Sequence, residues 1–133
     1  MTAALPIELT ILAFSVLLLF VHIGLQGMLA TRERGSAWNA GPRDGEMPAL
    51  SPLAGRAERA LSNFNETYPA FIAAVLTVVV AGRTGGWSEL GVWLWLIARI
   101  AYIPLYLGGV PYIRSLLWLV SVAGIVLVLA ELL

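Results

Sequence analysis

Residues 56–81 read RAERALSNFNETYPAFIAAVLTVVVA, and this stretch changes character at its midpoint. The half from Pro69 to Ala81 is almost wholly apolar, whereas the half before it is rich in charged and amide side chains. A transmembrane helix needs about 20 mostly apolar residues, so the polar half must face a protein interior, a water-filled cavity or a partner charge. The stretch therefore predicts a membrane helix with one inward-facing polar side.

The composition of the 133-residue chain also indicates a membrane protein. Hydrophobic residues make up 59% and charged residues 12% of the chain, against roughly half and a quarter in soluble domains. The eight basic and eight acidic side chains balance, so there is no basic excess for binding nucleic acid. Because the chain has no cysteine, a disulfide framework and a Cys-ligated metal site are excluded. Residues 1–133 are expected to form a single domain.

Four apolar segments are too long for strands and lack the alternation of a membrane barrel. Since only helices and closed barrels satisfy backbone groups in lipid, the sequence predicts an all-α, integral membrane four-helix bundle. The first segment has no basic start and no small-residue cleavage site, so it is expected to be a retained span. The predicted helices are 5–30, 56–81, 87–107 and 112–132, with a polar Gly- and Pro-rich loop at 31–55.

Arginine is distributed unevenly between the two ends of this bundle. Arg83 alone lies on the side of the termini, whereas six others lie on the side of loop 31–55: Arg32, Arg34, Arg43, Arg56, Arg59 and Arg114. The positive-inside rule places that loop in the cytoplasm and both termini outside. The tryptophans are expected to face the membrane. Trp87, near a helix start, should anchor the interface, and Trp93, Trp95 and Trp118 should face lipid.

A row of polar side chains lies along the second predicted helix. Arg56, Arg59, Asn63 and Glu66 are spaced 3, 4 and 3 residues apart, which confines them to an arc of about 80° at about 100° per residue. The other helices contribute polar residues at comparable spacing or near a helix start: His22 and Gln26 in the first helix, Arg99, Tyr102 and Tyr106 in the third, and Arg114 and Ser115 in the fourth.

These charges outnumber their internal partners. A charged side chain at the bilayer centre costs at least about 2.5–3.5 kcal/mol, so a salt bridge between Glu66 and Arg99 is expected to join the second and third helices. Up to four guanidinium groups would still share one inward carboxylate. Because Arg presents planar, bidentate donors to carboxylates, the excess predicts a site for a small, multiply anionic ligand. Phospholipid head groups are the alternative occupant.

The stretch RAERALSNFNETYPAF resembles the signature of the MAPEG family, the membrane-associated proteins in eicosanoid and glutathione metabolism. The pattern R-x-x-x-N-x-x-E-x-x-P falls at Arg59, Asn63, Glu66 and Pro69. The stretches ARIAYIPLY and IRSL are similar to the third helix of that family and to the Arg-Ser pair of some members. The chain looks most like the bacterial branch, which implies the bacterial inner membrane.

The resemblance implies a homotrimer in the membrane lipid whose subunit interfaces each bind glutathione as co-substrate, with no metal. Carried over by position, the glutathione contacts would be Arg59, Asn63, Glu66, Arg99, Tyr102 and Tyr106, with Arg32 or Arg34 from the neighbouring subunit.

The chemistry implied by the family needs a thiolate. Arg114, at a helix N-terminus, would stabilise it through charge and helix dipole, and the Ser115 hydroxyl would donate to the sulfur. The implied activity is a glutathione transferase or peroxidase acting on lipophilic small molecules. The loop residues Asn39, Arg43 and Asp44 would then form either a lid or a simple turn.

Two other functions remain open. The first is a non-catalytic trimeric membrane protein with a pocket for a lipid head group or another anion. The second is a small four-helix transporter. It is less favoured, because such transporters usually set a membrane-embedded carboxylate in the first helix, and here that helix has none past Glu8.

Overall fold

The computed structural model describes residues 3–133, and all regular secondary structure within that range is helical. The four long helices are α1 (Ile7–Arg34), α3 (Pro52–Val80), α4 (Gly86–Leu107) and α5 (Ile113–Ala130), and the short helix α2 (Ser36–Ala40) lies between the first two. This confirms the predicted all-helical class. The structure extends α1 past residue 30 and begins α3 before residue 56. Pro52 stands in the first turn of α3, and the Ser51 hydroxyl accepts from the Ala54 N–H at 3.4 Å.

Helices α1, α4 and α5 are long and apolar enough to cross a membrane. Helix α3 is as long as α1 but does not reach that hydropathy, because its N-terminal half carries the polar side chains of residues 56–66. It packs against all three spans. The chain is therefore an integral membrane protein in which the least apolar long helix contacts each of the spanning helices.

An aromatic column on α3 forms the centre of the bundle. Phe64, Tyr68 and Phe71 are buried on one face of that helix, and the ring of Phe71 stacks on the ring of Trp95 with centroids 3.7 Å apart. Trp95 is only 1% exposed. The prediction that Trp95 faces lipid is therefore wrong, because α4 turns this side chain toward the aromatic face of α3.

Trp93 and Trp118, the other two tryptophans predicted to face lipid, have different surroundings. Trp93 is 41% exposed on the outside of the bundle. Trp118 is half-buried on α5 and lines a cavity that is described below. Trp87, the predicted interface anchor, is 58% exposed at the start of α4.

Helices α4 and α5 cross at a pair of glycines. A Cβ atom added to Gly91 would lie 2.4 Å from the Gly124 carbonyl oxygen, and one added to Gly124 would lie 2.5 Å from the Gly91 oxygen. Small residues allow such close backbone approach between membrane helices. The crossing fixes α5 against α4.

Replacing Gly124 by alanine should destabilise the protein, because the new methyl group meets backbone that cannot move aside. Overpacking of this kind costs about 1–3 kcal/mol, which predicts a thermal midpoint in detergent lower by at least about 3 °C. The matched control is Gly27→Ala, also inside a helix, where an added Cβ meets nothing within 4 Å. Alanine favours helix over glycine, so the control should hold or raise the midpoint. Equal falls in the two variants would contradict the close crossing.

Candidate functional site

Two adjoining cavities open where the N-terminal part of α5 faces α3. The larger, of about 510 Å³, contains an indole and is called the tryptophan cavity; it is lined by Asn63, Glu66, Arg114, Ser115, Trp118 and Leu119. The smaller, of about 350 Å³, is called the arginine cavity; it is lined by Arg56, Arg59, Tyr106, residues 109–112, Arg114 and Ser115. Because Arg114 and Ser115 line both cavities, they mark the boundary between them.

The polar row on α3 forms one wall of the arginine cavity. Arg59 is exposed, and its Nε donates to the Tyr106 hydroxyl at 3.1 Å. One turn earlier, Arg56 donates from Nη1 to the Leu107 carbonyl oxygen at 3.1 Å. Neutral oxygens therefore hold both guanidinium groups, and their positive charge remains available to a ligand.

The turn between α4 and α5 is shaped around Arg56. Gly109 has φ +75°, and a Cβ atom there would lie 3.1 Å from the Arg56 guanidinium. Tyr112 also has positive φ, at 65°, and its side chain is 90% exposed beside the cavity. This turn brings Arg114, in the first turn of α5, to within 5.9 Å of the Tyr106 ring centroid. The N-terminal end of the α5 helix dipole adds positive potential there.

Arg99 lies behind the cavities in the bundle core. It is fully buried, and its Nη1 donates to the Asn63 Oδ1 at 2.9 Å. Its guanidinium lies 4.5 Å from the Tyr102 ring centroid and 5.3 Å from that of Phe64. Within residues 3–133, Nε and Nη2 of Arg99 have no hydrogen-bond partner.

The expected salt bridge between Glu66 and Arg99 is not formed. Glu66 is exposed and lines the tryptophan cavity, while Arg99 contacts the buried side of α3 at Phe64 and Asn63. Phe64 and Glu66 are two positions apart in the sequence, so the two side chains point to opposite sides of the helix. An amide thus takes the place that the sequence suggested for a carboxylate.

The predicted site residues fall into three groups. Tyr102 is 1% exposed, packs 5.3 Å from the Tyr106 ring by centroid, and like Arg99 lines neither cavity. Arg32 is exposed, and Arg34 donates to the Pro48 carbonyl oxygen at 3.1 Å, away from both cavities of this chain. The residues that the structure brings together at the cavities are Arg59, Asn63, Glu66, Tyr106, Arg114 and Ser115.

The long loop folds upon itself in this chain. Two guanidinium groups pack on the Trp38 ring: that of Arg34 lies 4.9 Å and that of Arg43 4.7 Å from the ring centroid. Arg43 in turn donates to the Asn39 carbonyl oxygen at 3.3 Å. No residue between 36 and 50 lines either cavity, so within one chain this segment forms no lid over the site.

Seven cavity residues were not among the predicted site residues: Arg56, Trp118, Leu119 and the four turn residues 109–112. Arg56 lies on the same arc of α3 as Arg59, and this spacing was the signal for it. Trp118 lies four residues after Arg114 and therefore shares its face of α5. Leu119 lies in an apolar segment, and no sequence pattern distinguished it from the apolar residues around it.

The model of the MAPEG family matches residues 11–133, nearly the whole chain. The chain therefore belongs to the MAPEG family, as the sequence motifs indicated. Comparisons with curated proteins and with solved structures found no match.

The contact between Gly109 and Arg56 can be tested with a matched pair of glycines. Gly109→Ala should lower the thermal midpoint by more than Gly82→Ala. Both substitutions place a Cβ on a residue with positive φ, which costs roughly 1–2 kcal/mol. Only the new methyl group at residue 109 also displaces the Arg56 guanidinium. In an Arg56→Ala background the extra loss should disappear. If the difference persists in that background, the turn is not shaped by Arg56.

Proposed function

We propose that this member of the MAPEG family binds glutathione and transfers it to lipophilic electrophiles, or uses it to reduce lipid peroxides. The supporting observation is that a cavity lined by three arginines adjoins a cavity lined by Trp118 and Leu119, with Arg114 and Ser115 at their boundary. The family includes glutathione transferases and peroxidases among other members. The two cavities match the two kinds of substrate that such a reaction joins.

The arginine cavity suits the anionic part of glutathione. Its lining contains Arg56, Arg59 and Arg114 and no carboxylate. Guanidinium groups bind carboxylates through paired, charge-assisted hydrogen bonds, and glutathione carries two carboxylates. The exposed carboxylate of Glu66, in the adjoining cavity, would accept from its ammonium group.

Arg114 and Ser115 would act on the sulfur. A free thiol has a pKa of about 8.5, and a nearby cation together with a helix N-terminus lowers that value. The thiolate sulfur then forms a bond to the electrophilic carbon, and the leaving group departs with the electron pair of its broken bond. For a lipid peroxide, two glutathione molecules supply two electrons and two protons and yield a disulfide, an alcohol and water.

The tryptophan cavity would admit the lipophilic partner from the bilayer. Leu119 is 58% exposed on the outer surface of α5, and Trp118 lies beside it. Together they provide an apolar path from the lipid to the boundary residues.

We further propose that the chain forms a homotrimer in a bacterial inner membrane. The loop 31–55 would lie in the cytoplasm and both termini outside. Arg32 or Arg34 would reach the site of a neighbouring subunit.

Glutathione binding is tested by thermal stability of the detergent-solubilised chain. Ligand at 100 times its dissociation constant should stabilise the fold by about 2.7 kcal/mol, and Arg59→Ala should remove most of that shift. Arg83→Ala is the control, because that side chain contacts the Leu132 carbonyl at the other end of the bundle. No shift at millimolar glutathione, with a shift on adding anionic phospholipid, would instead identify a head-group site.

Catalysis is tested by turnover of chlorodinitrobenzene with glutathione. Arg114→Ala should lower kcat by about a hundredfold, the scale seen when a charge-stabilising donor is removed from a reacting centre, while Trp118→Ala should chiefly raise the KM for the electrophile. Arg83→Ala again serves as the control. If Arg114→Ala turns over like the wild-type chain, another residue stabilises the thiolate.

A further inference from the structure

We propose that Arg99 is a positioning residue that acts on glutathione through Asn63, by holding the Asn63 amide with its NH2 group toward the ligand. This inference rests on the proposed glutathione site and assigns to Arg99 a role other than direct contact. Two facts carry it: the guanidinium is shut off from both cavities, and its hydrogen bond reaches a residue that lines one of them.

Arg99 is fully buried behind Phe64 and Tyr102, and it lines neither cavity. A ligand in either cavity therefore meets Asn63 before it could meet Arg99. The Arg99 Nη1 is 2.9 Å from the Asn63 Oδ1, which is hydrogen-bond distance.

The two ends of an Asn side chain have nearly the same shape, but one end accepts hydrogen bonds and the other donates two. A guanidinium has donors only, so Arg99 can pair with the Oδ1 of Asn63 and not with its NH2 group. The NH2 group is then directed away from Arg99 into the tryptophan cavity, which Glu66 also lines. There it can donate to the glutathione carboxylate that is bonded to the same carbon as the ammonium group.

The orientation of the Asn63 amide decides whether it can bind a carboxylate. A carboxylate can only accept hydrogen bonds. An Asn63 free to turn would present its own oxygen to the ligand about as readily as its NH2 group, and two acceptors would then face each other. Within residues 3–133 the other buried nitrogens of Arg99 have no partner, so the hydrogen bond to Asn63 is where this guanidinium exerts its directional effect.

The test is a double-mutant cycle on glutathione binding, measured by calorimetry on the full chain in detergent. Arg99→Gln and Asn63→Ala should each weaken binding about tenfold, and the double variant should be no weaker than Asn63→Ala alone, since coupled residues give non-additive losses. Arg99→Lys keeps a donor-only group and should recover part of the loss. In turnover, Arg99→Gln should raise the KM for glutathione and leave kcat and the KM for chlorodinitrobenzene unchanged.

Additive losses in the cycle would overturn the proposal, because Arg99 would then act by charge or by folding alone. If Arg99→Gln does not fold, Asn63→Asp decides, since it keeps the acceptor for Arg99 but presents a second oxygen to the ligand. Binding by Asn63→Asp weaker than by Asn63→Ala supports the proposal, and binding equal to the wild-type chain overturns it. Failure of the wild-type chain to bind glutathione would overturn the proposed function as well, which separates the two results.

Discussion

Neutral oxygen atoms hold the arginines of this bundle, and the site depends on that choice of partner. Arg56 donates to a carbonyl oxygen, Arg59 to a tyrosine hydroxyl and Arg99 to an amide. Each hydrogen bond fixes a guanidinium in place without cancelling its charge. A carboxylate in any of these positions would have formed an internal ion pair, and the neutralised guanidinium group would attract an outside anion less strongly. Fixed positive charge at a membrane protein surface is thus built into the packing of α3 against α4.

Helix α3 runs from the two cavities into the apolar core of the bundle. Its C-terminal half packs an aromatic and aliphatic face into the core, where Phe71 stacks on Trp95. Its N-terminal half carries Arg59, Asn63 and Glu66 into the two cavities. Because one continuous helix spans both regions, the packing of the apolar half sets the rotation of the polar half.

Apolar length and helical spacing were enough to predict the helices and the polar face of α3, because both are local properties of the chain. The rotation of α4 was harder to predict. Trp95 and Arg99 are four residues apart and share one face, so an inward Arg99 implied an inward Trp95, and weighing these two residues separately led to the wrong placement of the tryptophan. The partner of Arg99 and the role of Arg56 depend on how helices meet and on the turn at residues 108–111, which no local pattern contains.

The polar half of α3 has a consequence for how the chain enters the bilayer. An arginine opposes the transfer of a segment from the insertion machinery into lipid, most strongly near the middle of the segment, and α3 lacks the hydropathy of the other long helices. The connection from Val80 to Gly86 is short, so α3 and the strongly apolar α4 form a helical hairpin. Within this hairpin the apolar surface of α4 supplies the affinity for lipid that α3 lacks because of its charges.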